Sequence, residues 1–275
     1  MQKDFLASSK KIRRKRLARK VLFFFALFFF FVFASAAFFS CYSYFTIKKI
    51  SIEGNSSISA DKILDKVSEY SSGKYFMFFP KNNIFLLPAQ KITDNLYLAF
   101  PRIEVLSLKK NFPDAVFIKI KERTPEALLC ADGEGPSSAV GGGGCAFVDG
   151  KGFVFEKAPY FSGDIFLKVL DERKENRQVE LRKNIISEDE FKKLIEFKNL
   201  ARKNDIKISS LILKKDNLYE FRAEEGWRIL LNERNAPVLS FENLKIALDS
   251  EVKEERKNLD YIDLRFGNKV FYKFK

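Results

Sequence analysis

The sequence predicts an α+β protein with an N-terminal transmembrane helix, a domain in the order β-α-α-β-β, and a second α+β domain built mainly of antiparallel sheet. Three observations lead to this prediction. Residues 21–47 carry no charge. The following 80 or so residues show three strand patterns and two amphipathic helices, and the rest of the chain repeats hairpin signals. A length of 275 residues suits two modest domains.

The positive charge of the chain is concentrated at its N-terminus. The formal net charge is +13, and residues 1–20 contribute nine Lys or Arg and one acid, Asp4. The rest of the chain holds 40 basic and 35 acidic residues. A basic cluster beside an apolar run indicates a cytoplasmic tail that contacts anionic lipid. We therefore predict a basic cytoplasmic tail over 1–20 and no nucleic-acid partner.

The sequence contains no histidine. This removes the commonest general base, the commonest metal ligand and every Ser-His or Cys-His nucleophile pair. The four glycines at 141–144 do not make a phosphate loop, because no Gly-Lys-Ser/Thr follows them. These absences favour a protein without a catalytic or metal site, cofactor or small-molecule substrate, while carboxylate and lysine chemistry stay open.

Residues 21–44 are the predicted membrane helix. About 20 apolar residues cross a hydrocarbon core of ~30 Å, and this segment is long enough. The alternative is a cleaved signal peptide, since residues 34–36 (Ala-Ser-Ala) resemble a cleavage site. The anchor is favoured because the apolar run continues through residues 38–39, and cleavage would leave an apolar new N-terminus.

Residues 45–127 are predicted to form one domain, with two helices on one face of a three-stranded sheet. Ser59 is a typical N-cap for the first helix, and Pro88 suits the start of the second. Apolar and polar residues alternate along the opening strand with one interruption, which indicates a β-bulge. The predicted elements are strands over 45–52, 103–109 and 115–122 and helices over 60–70 and 88–99.

Residues 128–275 are the predicted second domain. Within it, the Gly/Ser-rich stretch 131–144 is predicted to be a flexible loop, because its composition cannot bury enough apolar surface to offset its ordering entropy. The run Ser187-Glu188-Asp189-Glu190 is a capping box, and the helix behind it is predicted to end near Asn204. The remaining predicted elements are strands at 146–148, 153–155, 206–214, 218–223, 227–231, 261–266 and 269–274 and a helix over 241–252.

Four stretches of the sequence, taken in order, resemble a known family. They are residues 45–55 (FTIKKISIEGN), a pattern from FPRIE at 100 through NFPDA at 111 to ERTPEA at 122, residues 147–155 (FVDGKGFVF) and residues 261–266 (YIDLRF). Behind a basic tail and one membrane span, these motifs resemble the FtsQ/DivIB family of bacterial cell-division proteins. The resemblance implies a POTRA domain after the span and a C-terminal β domain. It is poorest between residues 158 and 206.

The resemblance implies a non-catalytic divisome scaffold. It implies partners of the FtsB/DivIC and FtsL type and a part in regulating septal peptidoglycan synthesis. The expected location is the cell (inner) membrane at the division septum, with a cytoplasmic N-terminus and extracytoplasmic domains. Two alternatives stay open. One is a POTRA-bearing envelope secretion or assembly factor, and the other is a membrane-anchored hydrolase, for which Asp132 and Glu134 are the nearest acidic pair.

The last strand, 269–274, is the predicted partner site, because a strand that ends the chain can lie at a sheet edge and accept a partner strand. The predicted partner-binding residues are Phe266, Val270, Tyr272 and Phe274. The first matches, by the resemblance, an aromatic of the family's binding surface, and the other three share one strand face by period two. Phe266 and Tyr272 are the predicted anchors. The alternatives are that these residues pack in the core, or that Lys269 and Lys273 only protect the edge against aggregation.

Two charged pairs are predicted to be structural. Asp263 and Arg265 lie two apart on one strand face, which favours an ion pair or hydrogen bonds to a neighbouring loop over a functional role. Glu122 and Arg123 precede Thr124-Pro125, where they can support a polar contact at the junction of the two domains. Solvated charge is the alternative for this second pair.

Cys130 and Cys145 flank the Gly/Ser-rich loop. If the strands that carry them pair, the two thiols face each other and can form a disulfide in an oxidising compartment. Closing a loop of about 15 residues adds about 3 kcal/mol in the chain-entropy model. The alternative is two free thiols, because not every cell envelope oxidises proteins.

Overall fold

A computed structural model describes residues 2–131, 144–159, 165–173 and 179–275, apart from the side chains of residues 2–15 and of Glu254. The chain divides into two compact units, Met1–Glu122 and Arg123–Lys275, which we call the N-terminal and C-terminal units. Almost all of the predicted flexible loop at 131–144 lies outside the described residues, as do Asp132 and Glu134.

The first helix, α1, runs over Gln2–Ser40, so the predicted basic tail and membrane segment form one continuous helix. Its part from Arg16 to Ser40 is long and apolar enough to cross a membrane. At 1.5 Å per residue this part is about 37 Å long, more than the ~30 Å hydrocarbon core. The helix ends before the predicted limit of 44, because a 3-10 turn over Ser43–Phe45 leads the chain into the folded domain.

The rest of the N-terminal unit is the predicted α+β domain. Its strands are β1 (Lys49–Glu53), β2 (Lys74–Tyr75), β3 (Phe79–Pro80), β4 (Ile103–Asn111) and β5 (Ala115–Glu122), and its helices are α2 (Ala60–Ser71) and α3 (Ala89–Ala99). In the main sheet the order is β1-β5-β4, with β1 parallel and β4 antiparallel to the central β5. Apolar residues of both helices pack on the inward face of β5. The buried members include Ile63, Val67, Ile92, Leu96, Val116, Ile118 and Ile120.

The opening strand is shorter than the predicted 45–52. Residues 45–47 do not continue it, because they bind the segment before α3: Ile47 donates its N–H to Asn82 O at 2.9 Å, and Ile84 donates to Phe45 O at 2.9 Å. The turn after β1 requires glycine. Gly54 has a φ of 82°, and a Cβ there would lie 2.0 Å from Ile120 O.

The C-terminal unit holds the remaining strands and two helices. Its strands are β6 (Pro125–Cys130), β7 (Cys145–Asp149), β8 (Phe153–Lys157), β9 (Leu167–Asp171), β10 (Lys183–Asn184), β11 (Ile208–Lys214), β12 (Leu218–Ala223), β13 (Arg228–Asn232), β14 (Leu259–Phe266) and β15 (Lys269–Phe274), with helices α4 (Glu188–Lys203) and α5 (Pro237–Ala247). Within the described residues they form one sheet in the order β10-β8-β7-β6-β9-β11-β12-β13-β14-β15.

Most neighbours in this sheet are antiparallel, as predicted, but three pairs are parallel: β6–β9, β9–β11 and β13–β14. A parallel pair needs a crossover connection, commonly a helix. Helix α4 follows β9 and precedes β11, and α5 follows β13 and precedes β14. The predicted capping box of α4 is present, since Ser187 Oγ accepts from Glu190 N while the Glu190 carboxylate accepts from Ser187 N. Both helices pack on a core that includes Phe191, Phe197, Phe221, Trp227 and Leu244.

The boundary between the units differs from the predicted limit at residue 127. Residues 125–130 form β6, which pairs with β7 and β9 of the second sheet. The last strand of the first sheet, β5, ends at Glu122. The strand Pro125–Cys130 therefore belongs to the C-terminal unit, because its backbone hydrogen bonds are made there.

Candidate interaction surface

The last two strands of the chain form the edge of the large sheet. Strands β14 and β15 pair as an antiparallel hairpin through Gly267-Asn268, and Gly267 has the positive φ, 65°, that such a tight turn favours. In the described part of the chain, β15 has a partner strand on one side only. Its other side presents main-chain groups of the kind that pair with an added strand.

The four predicted partner-binding residues do not lie together on one exposed face. Val270 and Phe274 are half-buried and pack against the core of the unit. Tyr272 is on the margin, 38% exposed, with its hydroxyl 3.3 Å from Glu251 Oε2. Phe266 is 56% exposed. The face of β15 that carries Val270, Tyr272 and Phe274 is thus turned toward the core. The helices and strands beneath it supply apolar partners for Val270 and Phe274.

Phe271, which the sequence analysis did not select, is the second exposed aromatic of this edge. It lies on the opposite face of β15 from Val270 and is 49% exposed. Its ring meets that of Phe266 edge to face, with centroids 5.3 Å apart. Alternation along the strand was the available signal, since every residue between Val270, Tyr272 and Phe274 must face the other way. We call Phe266, Phe271 and Tyr272, with the outer edge of β15, the edge-strand surface.

The ion pair predicted between Asp263 and Arg265 supports this surface. Arg265 Nε and Nη2 donate to the two carboxylate oxygens of the buried Asp263, at 2.8 and 2.6 Å. Hydrogen bonding to this carboxylate raises the pKa of Arg265. The guanidinium carbon lies 5.5 Å from the centre of the Phe266 ring. A fixed cation at this distance contributes to holding the exposed ring in place.

The edge-strand surface is basic. Lys269, Lys273 and Lys275 are exposed along β15 and the chain end. Two carboxylates close by are engaged: Asp263 binds Arg265, and Glu251 accepts from the Tyr272 hydroxyl. A segment that carries aromatic or aliphatic side chains with acidic neighbours would match this surface in shape and charge. Among the described residues no group of three His, Cys, Asp or Glu could hold a metal ion.

Glu122 binds within the N-terminal unit. Its Oε1 accepts three successive backbone N–H groups, from residues 56 to 58, at 2.7, 3.0 and 3.0 Å. Burial raises the pKa of Glu122, but the N–H donors of Ile58, Ser56 and Ser57 outweigh that effect, and the pKa is lowered from its ordinary value of 4.5. The carboxylate thus fixes the turn that leads into α2.

Arg123 binds within the C-terminal unit. Its guanidinium donates to the buried Asp149 and stacks 4.1 Å from the centre of the Phe153 ring. The same Asp149 accepts the N–H groups of Lys151 and Phe153 and so holds the hairpin turn between β7 and β8. The adjacent Glu122 and Arg123 therefore both serve structure, each in its own unit.

Cys130 and Cys145 are direct cross-strand partners on β6 and β7. Their Cα atoms are 4.2 Å apart, and the structure joins the two sulfur atoms. The third cysteine, Cys41, is exposed and free. The disulfide closes the segment of 15 residues that contains the Gly/Ser-rich stretch.

Comparison with known proteins identifies the domain that follows α1. Residues 45–123 match the family model of the FtsQ-type POTRA domain. The cell division protein DivIB of Clostridium acetobutylicum is 36% identical over 80 residues, which are 29% of this chain and 28% of that protein. The match thus spans less than a third of that relative. Both matches fall on the domain after α1, where the sequence motifs also indicated a resemblance to the FtsQ/DivIB family.

Proposed function

We propose that this FtsQ/DivIB-type protein, anchored in the membrane by α1, is a non-catalytic scaffold that captures small single-pass division proteins by strand addition at β15. One observation carries the proposal. The edge strand has an unoccupied side in the described part of the chain, and two exposed aromatic rings, Phe266 and Phe271, lie beside it. Main-chain hydrogen bonds would supply affinity, and the rings would supply selectivity.

The surface has the composition that interfaces use. Aromatic residues and arginine are enriched among residues that dominate binding energy, and charged rims speed association. Here the Phe266–Phe271 pair is flanked by Arg265 and by the lysines of β15. The partners implied by the family resemblance are of the FtsB/DivIC and FtsL type. Their capture would place the protein at the septum and link it to the regulation of septal peptidoglycan synthesis.

The N-terminal tail has a second, simpler part in this proposal. Residues 1–20 are strongly basic and continue directly into the apolar part of α1. By the positive-inside rule this end stays in the cytoplasm, where its cations contact anionic lipid, and both folded units are extracytoplasmic. No small-molecule or nucleic-acid ligand is needed for this function.

The direct test is capture of the paired FtsB/DivIC-type and FtsL-type proteins of the same bacterium by the purified full chain. Replacing Phe266→Asp together with Phe271→Asp should weaken capture at least 100-fold, because two aromatic anchors of about 2 kcal/mol each are lost with incomplete additivity. Ile165→Asp is the control, since it places one such carboxylate on an exposed aliphatic residue that precedes β9, away from the edge. Equal affinity for the double variant and the control would refute docking at β15.

Localisation in cells separates the scaffold from an envelope secretion or assembly factor. A fluorescent protein fused to the N-terminus should form a band at mid-cell, and depletion of the native chain should give filaments. Expression of the Phe266→Asp, Phe271→Asp variant should fail to restore division, whereas Ile165→Asp should restore it. Uniform envelope fluorescence with normal division would favour the secretion or assembly factor.

A further inference from the structure

A second aromatic cluster lies in the N-terminal unit, at the short hairpin formed by β2 and β3. Its turn exposes Phe76 and Met77, whose side chains are 85% and 80% exposed, the highest values among the large apolar side chains described. Phe78 beside them is also exposed. Monomeric proteins rarely present adjacent apolar side chains to water in this way, and such patches mark interaction sites.

The backbone of this turn adopts a conformation that its residues do not favour. Phe78 N donates to Tyr75 O at 3.2 Å, and the two central residues, Phe76 and Met77, have φ of 46° and 66°. Turns with two positive φ values strongly prefer Asn-Gly, Asp-Gly or Gly-Gly. Large side chains there cost of order 1 kcal/mol each. Turn geometry therefore does not explain these residue types, and an apolar environment for the tip does.

The membrane helix identifies that environment. The hairpin touches α1 directly, since the Phe33 ring packs edge to face against Phe79 at 5.3 Å and against Phe78 at 6.2 Å. Phe33 precedes the end of α1 at Ser40 by about 10 Å along the helix axis. It thus lies within the apolar part that crosses the membrane. A loop that contacts this residue must lie at the depth of the lipid acyl chains.

Buried polar contacts hold the helix end against the domain and so set this depth. The buried Asn83 donates from Nδ2 to Ser40 O at 2.9 Å, and its Oδ1 accepts from Phe85 N at 2.9 Å. Thr46 forms an isolated β-bridge with the same residue. Because one amide binds the last turn of α1 and the chain that follows the hairpin, the hairpin and the helix end have a defined relation.

Aromatic and basic side chains surround the same end of the domain. Phe85 contacts both Phe45 and Phe112, with ring centroids 5.2 and 5.0 Å apart, and Phe85 and Phe112 are exposed. Lys74 and Lys81 flank the hairpin. Aromatic rings favour the membrane–water interface, and lysines there meet lipid phosphates while their stems lie along apolar surface.

We propose that the β2–β3 hairpin inserts its tip, Phe76-Met77-Phe78, among the phospholipid acyl chains of the leaflet that faces the folded domains. The hairpin acts as a second membrane contact beside α1 and fixes the orientation of the POTRA domain to the bilayer. The proposal rests on α1 as membrane anchor and is independent of partner capture at β15, because it requires lipid alone.

Depth-dependent quenching tests the insertion with the full chain in nanodiscs that contain only phospholipid brominated on the acyl chains. Phe76→Trp places a fluorophore at the tip, and the native Trp227 is fully buried in the C-terminal unit and supplies a constant background. The control is Val105→Trp, an exposed position on β4. It lies six residues before Asn111, about 20 Å along the strand from the end that carries Phe112. Met77→Trp repeats the measurement if the first variant folds poorly.

Brominated lipid should quench the added emission of Phe76→Trp at least twofold, and the added emission of Val105→Trp by less than a tenth. Aqueous iodide should give the reverse order. Equal quenching of the two positions by brominated lipid would overturn insertion and would make the tip a site for another protein. Loss of partner capture in the Phe266→Asp, Phe271→Asp variant does not affect this result, since the nanodiscs contain no partner.

Discussion

The two units of this protein each expose a pair of large apolar side chains, but they do so in different settings. In the N-terminal unit, Phe76 and Met77 occupy a turn that is in contact with the apolar helix α1. In the C-terminal unit, Phe266 and Phe271 occupy an edge strand flanked by lysines and by the Asp263–Arg265 pair. Both pairs of side chains are exposed, but the groups around the two pairs differ.

The groups that surround an exposed aromatic side chain therefore indicate which kind of partner it binds. A sheet edge offers directional main-chain hydrogen bonds, which a peptide can satisfy and an acyl chain cannot. A short hairpin loop beside a membrane span offers apolar area without a free strand, which suits lipid. Four further measurements test whether the two units also differ in what stabilises them.

The largest expected difference between the units is in their response to reductant. Cys130→Ser with Cys145→Ser, or reduction, should lower the free energy of unfolding of the C-terminal unit by about 3 kcal/mol, since a closed loop of 15 residues is released. Trp227 is the only tryptophan in the sequence, and its fluorescence during chemical denaturation reports this unit alone. Cys41→Ser is the control and should leave the transition in place. A midpoint that does not respond to reductant would show that the thiols are free.

A smaller effect is expected in the N-terminal unit from Glu122→Ala. The variant leaves three backbone N–H groups without their carboxylate acceptor. Water replaces that acceptor in part, so the free energy of unfolding of this unit should fall by about 1–2 kcal/mol. Circular dichroism should show earlier unfolding of this unit, while the Trp227 transition stays unchanged. Glu69→Ala, which removes only an exposed pair with Lys66, should have little effect.

The same carboxylate predicts an acid dependence. Because the pKa of Glu122 is lower in the folded chain than in the unfolded chain, its contribution is complete above the unfolded pKa, near 4.5. That contribution is lost as the pH falls through the lower folded pKa. The difference in stability between the native chain and Glu122→Ala should therefore shrink below about pH 4. A difference that is constant down to pH 2 would contradict this role.

The smallest effect is expected at the hairpin tip. Phe76→Asn with Met77→Gly supplies the residues that a turn with two positive φ values prefers, and it should stabilise a soluble chain starting after α1 by about 1 kcal/mol. The same change in the full chain should weaken its contact with lipid. A stabilised variant that retains full lipid contact would remove the distinction between the two aromatic surfaces.

Several elements were predictable because they depend on neighbouring residues alone. The uncharged run predicted the membrane helix, Ser187 and Glu190 predicted the start of α4, and the strand 115–122 was located to the residue. The opening strand and the domain boundary were misplaced for a common reason. Residues 45–47 and 125–127 have strand-like patterns. Which segment of the chain they pair with depends on residues far away in the sequence.

The strand of the candidate surface was predictable, but not which of its residues are exposed. The alternation of 269–274 predicted a strand, but alternation does not say which of its two faces is buried. Only the packing of Val270 and Phe274 on the core, and the contact between Phe266 and Phe271, decided that question. The hairpin tip was not predicted at all, because its turn lacks the residues by which such turns are recognised.

The sequence by itself therefore determined the apolar helix, the β-α-α-β-β domain, the basic tail and the strand over 269–274. These follow from local composition and periodicity, in which each residue is judged against its chain neighbours. Only the tertiary structure decided which aromatic side chains are exposed, that Glu122 and Arg123 bind in separate units, and that the hairpin reaches α1. Such facts depend on contacts between residues far apart in the chain, which a linear pattern does not encode.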